Sequence, residues 1–279
     1  MIENTESLIR LALPVVNVLA DEGSVAGVLC IGSRALGLSD ADSDVDLLVV
    51  GDLELAAGDR KALWQSMPDI SHFETNAATP GWENGWDWYQ DRFRHNGILF
   101  DLVYLEKEWL VSAVQQVLKN PDVSISEMPF RPYTLLGLLD HSVILYDPHS
   151  VMAEIKSHLR PYPQHLRKKL LAESRAVMAE AVDELQDNVR REIGTTAFLF
   201  HLSRLNDAVA TFLFALNETY NPCTRRVEAA LKNLPILPAD FLPRYTRLLQ
   251  GPFDPAGKTW AVEEYRQLIQ ELQTLACEV

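Results

Sequence analysis

The sequence predicts an α+β protein in which a β-sheet flanked by helices is followed by an all-helical bundle. Short apolar runs rich in Val and Ile, bounded by Gly, Asp or Pro, occur in the first half of the chain and are typical of buried strands. From Val151 onward, apolar residues instead recur at helical spacing. The Asp147-Pro148 pair marks the break between the two patterns. We therefore expect two domains, 1–148 and 149–279.

The elements of the first half follow from their apolar spacing. Apolar residues recur every three or four positions between Glu3 and Asp21, which predicts an amphipathic helix that packs on the sheet. The other predicted helices are Asp59–Met67, Glu106–Lys119 and Tyr133–His141. The predicted strands are Val28–Ile31, Val45–Val50, Ile70–Asn76, Ile98–Leu105 and the short Val143–Tyr146.

The second half contains long helical patterns joined by short segments that contain proline, which indicates a helical bundle. The predicted helices are Val151–Leu159, Gln164–Glu192, Thr195–Glu218, Arg225–Leu231, Phe241–Leu249 and Trp260–Leu275.

Composition limits the classes of partner. The net charge of −14 argues against a protein that follows a nucleic-acid backbone, because such a protein needs clustered Lys and Arg. A small-molecule or protein partner is favoured. The three cysteines, Cys30, Cys223 and Cys277, have no spacing suited to zinc, so we expect reduced thiols in the cytoplasm. The sequence shows no signal-peptide start and no run long enough to span a bilayer, which predicts no membrane contact.

The segment Val28–Val50 carries the main chemical signal. Gly32-Ser33 ends the first apolar run, and its free N–H groups and hydroxyl suit a phosphate, helped by the dipole of a short helix if one begins there. Asp44 and Asp46 flank Val45, so on a strand they point to the same side. Two carboxylates about 4 Å apart repel by roughly 4 kcal/mol at a protein surface, which favours a cation between them. Oxygen ligands select Mg²⁺ or Mn²⁺.

Gly32-Ser33, ten residues, and then Asp44-Val45-Asp46-Leu47 resembles the Gly-Ser…Asp-x-Asp signature of the polymerase-β-type nucleotidyltransferases. This superfamily includes the aminoglycoside and lincosamide nucleotidyltransferases and the minimal nucleotidyltransferase domains. The resemblance implies a small mixed nucleotidyltransferase sheet, an NTP co-substrate, two Mg²⁺ ions and a helical domain that helps to form the acceptor pocket. An acidic surface turn between two strands is the competing interpretation, since Asp40 and Asp42 make the loop acidic in any case.

The resemblance also implies a third carboxylate on a later strand, and Asp101 is the residue that matches it. Asp101 interrupts the apolar run Ile98–Leu105, where a carboxylate is costly unless it is paired or bound to metal. The alternative is a structural Asp bonded to a nearby Arg or to the backbone. Glu74 is the reserve candidate for the third ligand.

The predicted function is transfer of a nucleoside monophosphate from an NTP to an acceptor hydroxyl, with release of pyrophosphate. Asp44, Asp46 and Asp101 are the expected catalytic and metal-binding residues. Gly32 and Ser33 are expected to bind phosphate, and Arg34 either binds the leaving pyrophosphate or points to solvent. The alternatives are modification of a protein or RNA, and a nucleotide-binding regulator without turnover. The sequence leaves open whether the chain forms a homodimer.

Two further features allow two interpretations each. The aromatic segment 81–89 could stack on a base or sugar, or could plug a loop with apolar side chains. His201, Arg204 and Asp207 share one side of a helix and could line the acceptor cleft, with Arg204 at a phosphate. They could equally form a solvated face with an Arg204–Asp207 pair.

Overall fold

The computed structural model describes residues 5–52, 57–76, 89–120, 133–222, 227–251 and 253–278. The chain divides into two compact units: unit 1 comprises Met1–Pro161 and Pro222–Arg226, and unit 2 comprises Tyr162–Asn221 and Val227–Val279. The domain boundary expected at residue 148 stays a prediction.

Unit 1 contains a mixed β-sheet. Its described strands are β1 (Val25–Ile31), β2 (Val45–Gly51), β3 (Ile70–Asn76), β4 (Tyr89–His95), β5 (Ile98–Glu106) and β6 (Val143–Tyr146), in the order β3-β4-β5-β2-β1-β6. The β2–β5 pair is parallel, and the other pairs are antiparallel. The predicted fold class is confirmed, and β4 is a strand that the sequence analysis did not identify.

The helices of unit 1 cover the sheet. They are α1 (Thr5–Ala20), α2 (Gly32–Ala35), α3 (Ala57–Gln65), α4 (Lys107–Lys119), α5 (Thr134–His141) and α6 (Val151–Ser157). The buried side of α1 joins a core that also holds Trp64 of α3 and the side chains on one face of β1, β2, β4 and β5. On the opposite face, Gly27 leaves room for α6, because a Cβ there would lie 2.5 Å from Met152 Cγ.

A buried polar network lies within the apolar face of the sheet. The Asp91 carboxylate accepts hydrogen bonds from Arg60 Nε at 3.1 Å, Trp64 Nε1 at 2.9 Å, Thr75 Oγ1 at 2.6 Å and Tyr104 Oη at 2.7 Å. Arg60 and Asp91 are 1% and 0% exposed. Burial and the neighbouring Asp91 carboxylate raise the pKa of Tyr104, which keeps its hydroxyl protonated as a donor. The network joins α3 to three adjacent strands, β3, β4 and β5.

Lys156 holds the end of α5 in place. Its ammonium group donates to the carbonyl oxygens of Leu139 at 2.7 Å, Asp140 at 3.1 Å and Ser142 at 2.5 Å. The last carbonyls of a helix lack partners within the helix, so a cation at this position satisfies them and matches the helix dipole. Burial lowers the pKa of Lys156.

The described part of unit 2 is helical, as expected. Its helices are α7 (Gln164–Arg191), α8 (Thr195–Leu216), α9 (Val227–Leu231), α10 (Phe241–Gln250) and α11 (Pro255–Glu278). Apolar residues of α7, α8 and α11 form its core, which includes Met178, Leu205 and Leu268. The helix α11 begins five residues before the predicted start at Trp260. Across the described ranges, no helix combines the length and the apolar character that crossing a membrane requires.

We predict that Asp91→Asn destabilises the protein by about 3–5 kcal/mol, because it removes the buried carboxylate that pairs with the buried Arg60 guanidinium. The measurement is urea unfolding followed by tryptophan fluorescence. Asp52→Asn is the matched control: Asp52 is 68% exposed and lies 3.5 Å from Lys107 Nζ. Its loss should cost less than about 1 kcal/mol. Equal effects of the two substitutions would contradict a structural role for the buried network.

Candidate active site

The turn between β1 and α2 brings the backbone of Gly32 against the Asp46 carboxylate. Gly32 has a φ of +71°, and a Cβ added there would lie 2.0 Å from Asp46 Oδ2. Glycine is therefore required for two reasons, the left-handed backbone and the close approach of a carboxylate. The sequence left open whether a short helix begins here, and the helix α2 does begin at Gly32.

Three carboxylates converge beside this turn. Asp46 lies directly opposite Asp101 in the parallel β2–β5 pair, so their side chains share a face, and Asp44 immediately precedes β2. One oxygen from each of Asp44, Asp46 and Asp101 lies within 4.8 Å of the other two. Oxygens around one Mg²⁺ at about 2.1 Å from it are separated by about 3–4 Å. Three converging carboxylates offer the oxygen ligands that Mg²⁺ and Mn²⁺ prefer, so the donor set fits a divalent cation.

Asp101 also has two partners on β4. Gln90 Nε2 donates to Asp101 Oδ1 at 2.5 Å, and Arg92 Nη2 lies 3.2 Å from Asp101 Oδ2. The Asp101 side chain is 13% exposed, whereas Arg92 is 46% exposed. Asp101 thus combines the two alternatives left open by the sequence, since it belongs to the carboxylate cluster and is also paired with an arginine.

The contribution of β4 was missed by the sequence analysis. Two signals were available. Asn96-Gly97, both with positive φ, joins β4 to β5 as a two-residue hairpin turn, and this dipeptide is a strong hairpin signal. Residues of β4 also alternate: Asp91, Phe93 and His95 are buried, and Gln90, Arg92 and Arg94 point to the other face.

Arg34 lies beside the cluster and contacts backbone. Its Nε donates to the Asp44 carbonyl at 2.9 Å, and its Nη2 donates to the Ser43 carbonyl at 2.5 Å. Ser43 in turn donates from Oγ to Asp40 Oδ1 at 2.8 Å. Arg34 therefore fixes the backbone that leads into Asp44. Its expected contact with pyrophosphate stays a prediction, as do the phosphate contacts of Gly32 and Ser33.

Glu74, the reserve ligand, lies on β3 directly opposite Arg92, so the strand β4 separates it from Asp101. Within the described residues, the carboxylate cluster that could hold a metal ion contains Asp101 and not Glu74. The reserve assignment is thus disfavoured by strand order, because residues two strands apart in a sheet are about 9–10 Å apart.

Two of the three residues predicted to share one side of a helix, His201 and Arg204, have partners within unit 2. Arg204 donates to both oxygens of Glu180 on α7, at 3.0 and 3.2 Å, and these contacts raise the pKa of Arg204 and lower that of Glu180. His201 Nε2 lies 3.9 Å from Glu184, also on α7. Both side chains therefore join α8 to α7, which supports a structural face more than a phosphate site. The aromatic segment 81–88 lies outside the described residues, and Tyr89 opens β4.

Family comparison agrees with this geometry. Residues 15–129 match the family described as nucleotidyltransferase domain, and this span includes Gly32 and all three carboxylates. The chain carries a nucleotidyltransferase domain. Beyond it, residues 131–225 match a second family, described as domain of unknown function (DUF4037). No protein of curated function matches the sequence.

Two solved structures are similar to this chain with its nucleotidyltransferase domain. One is a nucleotidyltransferase-like protein from Exiguobacterium sibiricum 255-15, with 12% identity, a TM-score of 0.46, and coverage of 97% of this chain and 77% of that one. The other is spectinomycin adenyltransferase AAD(9) from Enterococcus faecialis with ATP and spectinomycin, with 14% identity, a TM-score of 0.33 and 98% coverage of both chains.

We predict that Gly32→Ala costs about 2–5 kcal/mol of stability. The predicted loss is the sum of two parts. The left-handed backbone costs about 1–2 kcal/mol for Ala, and the collision of its Cβ with Asp46 costs about 1–3 kcal/mol. Gly97→Ala is the matched control, because Gly97 has a φ of +80° but nothing lies within 4 Å of an added Cβ.

Gly97→Ala should therefore cost only the backbone part, about 1–2 kcal/mol. Chemical unfolding measures both variants. If Gly32→Ala is no worse than Gly97→Ala, the close approach to Asp46 does not constrain the site.

Proposed function

We propose that the chain is a metal-dependent nucleotidyltransferase that moves a nucleoside monophosphate from an NTP to a hydroxyl of a small-molecule acceptor and releases pyrophosphate. The observation that carries the proposal is the convergence of Asp44, Asp46 and Asp101 within 4.8 Å beside the Gly32 turn. The turn and the carboxylates lie within the nucleotidyltransferase domain.

Asp44, Asp46 and Asp101 would hold two divalent ions, Mg²⁺ or Mn²⁺. All three side chains are partly exposed. Substrate oxygens could therefore reach the same ions as further metal ligands. When bound, such ions neutralise the triphosphate and stabilise the entering and leaving oxygens of a displacement at phosphorus.

The residues of the chain then have separate tasks. The Ser33 hydroxyl and the N–H groups of the α2 turn would donate to terminal phosphate oxygens. Asp101 would accept the proton of the acceptor hydroxyl at a carboxylate oxygen. The acceptor oxygen forms its bond to the α-phosphorus while the bond from that phosphorus to the bridging β-phosphate oxygen breaks, and pyrophosphate leaves with the electron pair.

The acceptor class rests on charge. With a net charge of −14, the protein would repel a polyanion, so a nucleic-acid acceptor is disfavoured. A small molecule, an antibiotic for instance, does not meet this barrier, and a cationic one would be attracted.

The test of the function is mass spectrometry of reactions that combine each NTP and Mg²⁺ with aminoglycosides, lincosamides, total tRNA or cell lysate. An added nucleoside monophosphate on a small molecule, with equimolar pyrophosphate, is the expected result. Addition to RNA or protein would refute the acceptor class. Tight NTP binding without any product would indicate the non-catalytic alternative.

We predict that Asp46→Asn lowers the transfer rate at least about 100-fold, because it removes a charged metal ligand that stabilises the transition state. Asp42→Asn is the control, since Asp42 lies in the same acidic loop but is exposed and outside the carboxylate cluster. It should keep nearly full activity. Pyrophosphate release with the confirmed acceptor measures both, and an active Asp46→Asn enzyme would rule out the mechanism.

A further inference from the structure

Charged side chains form a row across one face of the sheet in unit 1. The pairing register places Asp46 opposite Asp101, Asp101 opposite Arg92, and Arg92 opposite Glu74. Residues directly opposite one another in a sheet have side chains on the same face. The row therefore runs acid, acid, base, acid over the strands β2, β5, β4 and β3, and Arg92 stands between two carboxylates.

The carboxylate cluster at one end of this row needs a nearby positive charge, and in the absence of a metal a side chain must supply it. Three carboxylates whose oxygens lie within 4.8 Å repel one another. Arg92 supplies a cation at the edge of the cluster, with Nη2 at 3.2 Å from Asp101 Oδ2. A divalent ion bound to Asp101 would offset the negative charge that attracts Arg92, and its own positive charge would repel the Arg92 guanidinium.

We propose that Arg92 is the resident counter-cation of the carboxylate cluster, which a divalent metal displaces from Asp101 toward Glu74. The proposal rests on the proposed function in one respect, that the cluster holds a divalent metal. It adds that metal occupancy and the position of Arg92 exclude each other.

The surroundings of Arg92 suit such an exchange. Its side chain is 46% exposed, so the guanidinium has room to move. Glu74, its partner in register on β3, is exposed and offers a second carboxylate. Gln90 continues to hold Asp101 Oδ1 from a neighbouring position, at 2.5 Å, so the carboxylate keeps its orientation when Arg92 leaves.

The other arginines near the cluster are engaged differently. Arg34 donates to the carbonyls of Ser43 and Asp44, and so acts on backbone. Arg94, two residues along β4 from Arg92, donates to the Gly97 carbonyl at 2.8 Å in the hairpin turn. Arg94 therefore has the same charge, strand and sheet face as Arg92 but a partner outside the carboxylate cluster, and it serves as a matched control.

The experiment measures Mn²⁺ binding to the full-length protein without nucleotide, by isothermal titration calorimetry and by the electron paramagnetic resonance signal of free Mn²⁺. Arg92→Gln should bind Mn²⁺ about 3- to 10-fold more tightly, a modest gain because the arginine is half exposed. Arg94→Gln should change the affinity less than about twofold, and Arg92→Lys should stay near the wild-type affinity, since both keep a cation at position 92.

Glu74→Gln tests the destination of the guanidinium. Without Glu74, Arg92 remains on Asp101, so Mn²⁺ affinity should fall about twofold to threefold. In the Arg92→Gln background the same substitution should have little effect, because no guanidinium is left to move. Equal effects of Glu74→Gln in both backgrounds would refute the transfer to Glu74.

Unchanged or weaker Mn²⁺ binding in Arg92→Gln would overturn the proposal, provided that thermal unfolding shows a folded variant. Arg92→Lys guards against a merely structural effect, because loss of packing would affect both substitutions. The outcome is separable from the proposed function. If the protein transfers nucleotide but Arg92→Gln leaves its Mn²⁺ affinity unchanged, only the proposed role of Arg92 is refuted. If the Mn²⁺ affinities change as expected but no transfer product forms, only the proposed enzymatic activity is refuted.

Discussion

The parallel pairing of β2 with β5 is the constraint on which the candidate site depends. It sets Asp46 directly opposite Asp101, although these residues are 55 positions apart in the chain. A register shift by one residue would turn one of the two carboxylates to the other face of the sheet. Because the two strands also carry much of the buried apolar core, with Leu47, Val49, Phe100 and Leu102 inward, such a shift would expose that core. Core burial therefore protects the alignment of the carboxylates.

The strand β4 serves both faces of the sheet. Asp91 on one face is fully buried and accepts four hydrogen-bond donors, among them Arg60 and Tyr104. Gln90 and Arg92, on either side of it in sequence, contact Asp101 on the other face. A strand held so firmly on its buried side presents its alternate residues at fixed positions. The network thus positions the partners of Asp101 without contacting the carboxylate cluster itself, at the cost of burying an ion pair.

The sequence allowed prediction of the elements whose apolar residues recur regularly, and of the three carboxylates. Strand β3 was predicted at its observed bounds, and Ile98–Leu105 differs from β5 by one residue. Strand β4 was missed because a buried charged residue, Asp91, stands where a buried apolar residue is expected, and its neighbours include exposed arginines. The segment therefore lacks the alternation of apolar and polar residues by which a strand is recognised. Burial of a charged residue depends on partners from other elements, and these cannot be read from local spacing. The pairing of Arg92 with Asp101 requires the register, which no local pattern contains.

The three carboxylates reach one place by different physical means. Strand pairing fixes Asp46 and Asp101, but Asp44 precedes β2 and has no place in that ladder. Its position depends on Arg34, whose guanidinium holds the carbonyls of Ser43 and Asp44 and so ties the loop to α2. Gly32 lies in the same short helix and touches Asp46. The Gly-Ser-Arg turn therefore positions both acids of the Asp-x-Asp pair, one through backbone hydrogen bonds and one through close contact. These contacts connect the turn to the acids across the nine residues between Arg34 and Asp44.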